Sequence, residues 1–67
     1  MIDARGLSCP MPVLMVQREV KKNQPESLEV IVDNATAVGN ISRFAASQHY
    51  VVKTEEVGGE FKLTLTR

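Results

Sequence analysis

The chain has 67 residues, of which 43% are hydrophobic and 24% are charged, and this is typical of a single small globular domain, 1–67. Eight basic residues balance eight acidic residues, which argues against general binding of nucleic acids or other polyanions. No apolar run approaches the roughly 20 residues of a membrane-spanning helix, and no signal peptide is evident.

The first predicted element is a short strand over residues 1–5, where apolar and polar side chains alternate. The alternation gives the strand one buried face and places Asp3 and Arg5 on its outer face. Gly6 ends the strand and opens the loop that carries Cys9.

The first helix is predicted over residues 10–22, because apolar residues recur there at helical spacing. This stripe consists of Val13, Leu14, Val16 and Val20. Basic residues on the two predicted helices indicate a solvated face or, as the alternative, a docking patch for an acidic partner. These residues are Arg18, Lys21, Lys22 and Arg43.

The start of this helix contains the only cysteine. Proline is tolerated in the first turn of a helix, where N–H groups lack intrahelical partners, so we predict Cys9 as the N-cap, Pro10 as the first helical residue and Pro12 as the third. The two prolines would rigidify the turn. The sulfur would lie beside the free N–H groups of Met11 and Val13, at the positive end of the helix dipole, which favours a reactive thiolate. The alternative is a buried structural thiol.

A lone cysteine cannot form an internal disulfide, which is typical of a reducing compartment, so we expect a cytoplasmic protein. The only histidine, His49, follows Cys9 by about forty residues, which matches no spacing of known metal sites. We therefore expect no metal and no other cofactor.

A second strand and a second helix are predicted next. β-Branched residues are concentrated in Ser27–Asp33, which indicates a central strand, and the following helix is capped by Asn34 or Thr36. The predicted inner face of that helix consists of Ala37, Val38, Ile41, Phe44, Ala45 and Gln48.

The chain ends in a predicted hairpin. Two glycines at 58–59 are a strong signal for a two-residue turn between the strands Tyr50–Val57 and Glu60–Thr66. The resulting register places Glu55 opposite Lys62 as an exposed cross-strand ion pair.

The predicted order of elements is β-α-β-α-β-β. Right-handed crossovers place both helices on one face of a four-stranded mixed sheet. The expected fold is therefore α+β, a two-layer sandwich in which the loop carrying Cys9 lies exposed at an edge of the sheet.

Residues 3–13 read Asp-Ala-Arg-Gly-Leu-Ser-Cys-Pro-Met-Pro-Val, which is similar to the Asp-x-x-Gly-x-x-Cys-Pro-x-Pro opening of the TusA/SirA/YedF family of sulfur-carrier domains. A CPxP motif after Asp-x-x-Gly in so short a chain is fairly specific. The resemblance extends over essentially the whole chain, and the family's two-layer sandwich has the element order predicted above.

The resemblance implies that Cys9 accepts and passes on sulfur as a persulfide, in the manner of a sulfurtransferase-like carrier. A cysteine desulfurase or another persulfide donor would load Cys9, and a downstream acceptor protein would take the sulfur or selenium. Gly6, Pro10 and Pro12 would support the motif. Neither a membrane nor direct nucleic-acid binding is expected.

The family has branches with different pathways. The TusA branch, which serves thiolation of the tRNA wobble uridine, usually has Asp-Pro-Ala-Thr where residues 33–36 read Asp-Asn-Ala-Thr. Residues 40–48 look more like the YedF branch, which is associated with selenium metabolism and commonly carries a second, C-terminal DsrE-like domain. The chain would then be the N-terminal part of such a protein or a stand-alone member.

A non-catalytic interaction module is the alternative from a different class. In that case the CPxP turn would only shape a regulatory surface that binds RNA or protein. A Cys9 pKa at or above the ordinary thiol value of about 8.5 would favour this alternative.

Overall fold

The protein is seen in a computed structural model, which describes residues 1–8 and 10–67. Its elements are β1 (Ile2–Asp3), α1 (Met11–Asn23), β2 (Ser27–Val32), α2 (Ala35–Ser47), β3 (Val51–Val57) and β4 (Glu60–Thr66). The strands form one mixed sheet in the order β1-β2-β4-β3, in which β1 and β2 are parallel and the other neighbours are antiparallel. The predicted α+β sandwich, with the second strand in the centre of the sheet, is confirmed.

The core lies between the helices and one face of the sheet. Side chains alternate along β2, so that Leu28, Val30 and Val32 are buried whereas Glu29 and Ile31 are half-buried. Outside β2, the large side chains with no exposed surface include Val16, Ile41, Leu63 and Leu65. Each buried aliphatic side chain stabilises the fold by roughly 1.5–3 kcal/mol, so this layer holds the helices to the sheet.

The first strand is shorter than predicted. β1 has only two residues, although Ala4 is still fully buried and its N–H donates a 2.8 Å hydrogen bond to the Ile31 carbonyl. The chain then turns at Gly6, whose φ of +76° lies in the left-handed region that glycine adopts at little cost. The turn, rather than the alternation of side chains, sets the end of the strand.

The second helix begins at Asn34, whose Oδ1 accepts a 2.8 Å hydrogen bond from the Ala37 N–H. Of the two predicted caps, Asn34 is therefore the one that is used, and Thr36 lies inside the first turn. The residues of the predicted inner face are all buried or half-buried. Such a cap is worth about 1 kcal/mol relative to alanine.

The end of α2 sets the start of β3. The N–H groups of His49 and Tyr50 donate to the carbonyls of Ala46 and Ala45, at 3.1 and 2.9 Å. This is the bonding of a Schellman motif, in which His49 adopts a φ of +67°. The third strand therefore begins at Val51, one residue later than predicted.

The hairpin between β3 and β4 has the predicted register, with Val57 opposite Glu60. Both glycines of the turn, Gly58 and Gly59, have positive φ angles, 58° and 83°. These angles are those of a type I′ turn, whose twist matches that of the strands it joins.

One predicted ion pair is not formed. Glu55 does lie opposite Lys62, but the Lys62 Nζ atom lies 2.9 Å from Oε2 of Glu29 on β2. The hydrogen bond to Glu29 raises the pKa of Lys62, and the charge of Glu55 contributes least to that rise. β4 pairs with β2 on one side and with β3 on the other, so Glu29 and Glu55 are both near Lys62. The register of the hairpin predicts only the contact with Glu55, because Glu29 lies on a strand outside the hairpin.

Candidate functional site

Both helices begin at the same end of the sheet, where β1 and β2 have their carboxyl ends. β1 and β2 are parallel, and each is followed by a helix, so the N-termini of α1 and α2 lie at the carboxyl ends of these strands. The positive ends of two helix dipoles therefore lie at this end of the sheet. The loop from β1 to α1 contains Cys9, which lies outside the described residues, so its role as the nucleophile stays a prediction.

The start of this loop is held by a hydrogen bond from Gly6 to Asp33. The Gly6 N–H donates a 2.7 Å hydrogen bond to Oδ2 of Asp33, the residue after β2. Oδ1 of the same carboxylate accepts a 3.2 Å bond from the side-chain amide of Asn34. These bonds, above all the one from Gly6, lower the pKa of Asp33 below its usual value. A single charged side chain thus joins the loop to the start of α2.

The second end of the loop is held by backbone bonds. The Met11 N–H donates to the Ser8 carbonyl at 2.9 Å, and the Leu14 N–H donates to the Pro10 carbonyl at 3.1 Å. Leu7 packs, half-buried, against the core. The loop is therefore anchored on both sides of the cysteine position, while Ser8 and Pro10 are exposed.

The first helix begins one residue later than predicted. The N-cap is Pro10 and not Cys9, and Met11 is the first helical residue. The Met11 N–H, predicted to be free beside the sulfur, instead donates to the Ser8 carbonyl. With its N–H bound to Ser8, Met11 follows the N-cap Pro10 as the first residue of α1. Pro12 is consequently the second helical residue and not the third.

The two prolines of the motif have different surroundings. Pro10 is exposed, whereas Pro12 is buried in the first turn of α1. Because proline has no N–H, Pro12 can be buried at a helix N-terminus without leaving an unpaired donor there. Pro12 therefore belongs to the packed interior, and Pro10 to the surface around the cysteine position.

Asp3 and Arg5 belong to an exposed ion-pair network before the loop. The Arg5 guanidinium donates to both carboxylate oxygens of Asp3, at 2.8 and 2.9 Å, and lies 3.3 Å from Oε2 of Glu60. The hydrogen bonds from Arg5 lower the pKa of Asp3 from 3.8 to about 2. The same partners raise the pKa of Arg5. The network ties the end of β1 to the start of β4.

Two contacts at this end of the molecule were not predicted, that of Asp33 with Gly6 and that of Glu60 with Arg5. Asp33 was predicted as the last residue of the second strand, but β2 ends at Val32 and Asp33 directly follows it. Because β1 and β2 are parallel, Asp33 and Gly6 lie at the same end of the sheet, and the predicted β-α-β order was the available signal. The contact between Arg5 and Glu60 joins residues 55 positions apart, and no local pattern indicates it.

The basic face of α1 borders an open groove beside β1. The groove has a volume of about 360 Å³ and is lined by Ile2, Met15, Arg18, Glu19 and Lys22. Within the described part of the chain, Arg18 and Lys22 form no salt bridge. On α2, Arg43 donates to Oδ1 of Asn40 at 2.5 Å. Both the solvated face and the docking patch remain compatible with this arrangement.

Across residues 1–8 and 10–67, no group of three or more His, Cys, Asp or Glu side chains is placed to hold a metal ion. Neither of the two described helices has the length and apolar character needed to cross a membrane. In the same part of the chain, every buried side-chain nitrogen or oxygen atom has a hydrogen-bond partner.

Comparison with known proteins gives a consistent result. The sequence pattern of the sulfurtransferase TusA family matches residues 1–67. A proposed sulfur carrier protein of Methanocaldococcus jannaschii is 37% identical over 68 residues, which cover 98% of this chain and 91% of that protein. The crystal structure of a SirA-like protein from Desulfitobacterium hafniense has a TM-score of 0.83 and 27% identity, and the match covers 96% of this chain and 90% of that one.

Proposed function

Because this chain belongs to the sulfurtransferase TusA family of sulfur carriers, we propose that it accepts and passes on one sulfur atom as a persulfide on Cys9. The anchoring of the loop around Cys9 supports this proposal. The Gly6 N–H is bound by Asp33 on one side, and the Met11 N–H by a backbone carbonyl on the other. A carrier needs a thiolate that two different proteins can reach, and a loop anchored at Gly6 and Met11, with Ser8 and Pro10 exposed, suits that need.

In the proposed loading step, the Cys9 thiolate attacks the terminal sulfur of a persulfide on the donor protein. A new S–S bond forms on Cys9 while the donor's S–S bond breaks, and the donor cysteine leaves as a thiolate. The terminal sulfur keeps its proton, and no external oxidant is needed. In the unloading step, an acceptor thiolate attacks the same sulfur and Cys9 leaves as a thiolate.

Such exchange is fastest when the pKa of the attacking thiol lies near the ambient pH. A cysteine immediately before a helix is exposed to the positive end of the helix dipole, which lowers the pKa of its thiol. In the proposed site, Gly6 provides the left-handed turn that enters the loop, Pro10 caps the helix beside Cys9, and Pro12 packs the first turn. These three residues support the loop and take no part in bond making.

The proposed donor is a cysteine desulfurase or another protein that carries a persulfide. Cys9 is the only cysteine among the 67 residues, so no second thiol of this segment can resolve its persulfide. The acceptor is therefore a different protein or a different domain. We place the relay in the cytoplasm, where thiols stay reduced, and assign it to the domain 1–67.

Loading tests the proposal directly. The reduced protein is incubated with cysteine and a purified cysteine desulfurase, and in parallel with inorganic polysulfide, and its intact mass is measured without reductant. We expect the wild-type chain to gain the mass of one sulfur atom and to lose it again with dithiothreitol. The Cys9→Ser variant, with an unchanged circular dichroism spectrum, should gain none. A wild-type chain that stays unmodified with several desulfurases and with polysulfide would overturn the proposal.

The likeness of residues 40–48 to the YedF branch extends the proposal to selenium metabolism, where Cys9 would carry selenium in place of sulfur. The same assay with selenocysteine and a selenocysteine lyase tests this extension. A gain of the mass of one selenium atom on wild type, but not on Cys9→Ser, supports it. Loading by sulfur donors alone contradicts the extension and leaves the sulfur carrier in place.

A thiol titration separates the carrier from a non-catalytic interaction module. The carrier is expected to have a Cys9 pKa below the ordinary thiol value of about 8.5. A pKa at or above that value, together with absence of loading and salt-dependent binding to RNA, would favour the interaction module.

A further inference from the structure

The strand β3 forms one edge of the sheet, and no described strand pairs with its outer side. It has seven residues, Val51–Val57, which pair with β4 in an unbroken register and so contain no bulge. The valines at its two ends, Val51 and Val57, are each 70% exposed. An edge of this length without proline or bulge is a template for pairing with another chain.

The turn of the hairpin determines which backbone groups of β3 point outward. In a two-residue hairpin, the residues next to the turn form a hydrogen-bonded pair, and such pairs alternate along the ladder. Val57 pairs with Glu60, so Val57 and every second residue before it direct their N–H and C=O groups toward β4. The groups of Val52, Thr54 and Glu56 therefore point outward.

We propose that two copies of this chain associate by pairing their β3 strands antiparallel about Thr54. In this register Thr54 lies opposite Thr54 of the second copy, and Val52 lies opposite Glu56. All three are residues whose backbone groups point outward, so each outward N–H and C=O group gains a partner. The two sheets become one continuous sheet.

The side chains are complementary in the same register. Lys53 lies opposite Glu55, and Val51 opposite Val57, once in each half of the interface. These are non-hydrogen-bonded positions, where opposing side chains lie closest. Within the described part of the chain, neither Lys53 nor Glu55 forms a salt bridge. Pairing therefore supplies partners for two charges and covers two exposed valines.

Charge distinguishes this register from the neighbouring ones. The neighbouring centres whose backbone groups also point outward are Val52 and Glu56. The first places Lys53 opposite Val51, which gives its charge no partner, and the second places two glutamates, Glu56 of each copy, opposite each other. Like charges at opposite positions destabilise a strand pair. Charged side chains usually protect an edge strand from pairing, but on β3 they select the one centre at which opposite charges meet.

The proposed interface leaves the cysteine loop free. β3 and β1 lie at opposite edges of the sheet, and the loop with Cys9 follows β1. A single strand pair buries less than the roughly 1,200 Å² of a standard stable interface, so the dimer is weak and forms at high protein concentration. The inference does not depend on persulfide chemistry.

The association is measured by sedimentation equilibrium and NMR on reduced protein at up to about 1 mM in low salt. We expect a monomer–dimer equilibrium, with line broadening confined to the amides of β3. Thr54→Pro removes an outward N–H but leaves the ladder to β4 intact, as proline allows on an edge strand. It should weaken the dimer at least tenfold with an unchanged monomer spectrum. Thr54→Val, which keeps the N–H, is the matched control and should dimerise like wild type.

A charge exchange provides a second test that does not require proline. Lys53→Glu and Glu55→Lys each place like charges opposite one another, so each variant alone should associate more weakly than wild type. An equimolar mixture of the two variants places opposite charges together again and should recover the association. A wild-type chain that is monomeric at about 1 mM, a dimer that Thr54→Pro does not weaken, or a mixture that does not associate would overturn the proposal.

Discussion

The N–H of Gly6 and the carboxylate of Asp33 are joined by a 2.7 Å hydrogen bond across 27 residues of sequence. Asp33 directly precedes Asn34, the N-cap of α2. The bond therefore couples the loop that carries Cys9 to the start of the other helix. A charged acceptor makes such a bond stronger than a neutral one, so the Asp33 carboxylate holds the entrance of the loop.

Replacement of Asp33 by alanine should loosen this loop. The Gly6 N–H would lose its acceptor, and we expect its amide hydrogen exchange to accelerate at least tenfold, with a lower urea midpoint of unfolding. Asp33→Asn keeps an acceptor oxygen and should have a smaller effect. Glu55→Ala, which removes a carboxylate with no salt bridge among the described residues, is the control. Unchanged exchange of Gly6 in Asp33→Ala would contradict the positioning role.

Much of the fold was predictable because local signals and tertiary packing agree. The glycine pair at 58–59 determines the hairpin register, and the alternation over Leu28–Val32 identifies a strand with one buried face. The start of α1 was not predictable, because the bond between Met11 and Ser8 depends on how the loop closes. Contacts of the loop with Asp33 depend on the pairing of distant strands, and spacing along the chain does not reveal them.

Two carboxylates near the loop make stability depend on acid pH. Hydrogen bonds from Arg5 lower the pKa of Asp3 from 3.8 to about 2, and the bond from Gly6 is the main cause of the lowered pKa of Asp33. A carboxyl group whose pKa is lower in the folded chain than in the unfolded chain stabilises the fold at pH values above the unfolded-chain pKa. This stabilisation is lost as the pH falls through the folded-chain pKa.

We therefore expect the free energy of unfolding, measured in urea, to be constant above about pH 5 and to fall progressively toward about pH 2. Both groups are exposed, so salt should weaken the effect. The double variant Asp3→Asn/Asp33→Asn should show a flatter profile. A wild-type profile that stays level down to pH 2 would contradict these assignments.

The two prolines of the motif should differ in their effect on stability. Pro12 is buried and Pro10 is exposed. Pro12→Ala removes packed atoms from the interior and should destabilise the fold by about 1–2 kcal/mol, whereas Pro10→Ala should cost less than about 0.5 kcal/mol. Thermal unfolding of the reduced variants measures both. If Pro10→Ala proved the more destabilising change, the assignment of Pro12 to the packed interior and of Pro10 to the surface would be wrong.

Lys62 should be energetically coupled to Glu29 and only weakly to Glu55. Its ammonium group lies 2.9 Å from Oε2 of Glu29, whereas Glu55 faces it across the hairpin without forming a salt bridge. Double-mutant cycles with alanine, measured by urea unfolding at low protein concentration, separate the two couplings. We expect a measurable coupling for the first pair, reduced in about 1 M salt, and a coupling near zero for the second.

The outcome of these cycles also bears on the proposed dimer. If Lys62 is held by Glu29, the carboxylate of Glu55 stays available to Lys53 of a second copy. The cycle for Glu55 and Lys53, repeated at protein concentrations that favour the dimer, should then show a coupling that is absent from the monomer. A strong coupling between Glu55 and Lys62 in the monomer would contradict the observed pairing and remove one support for association through β3.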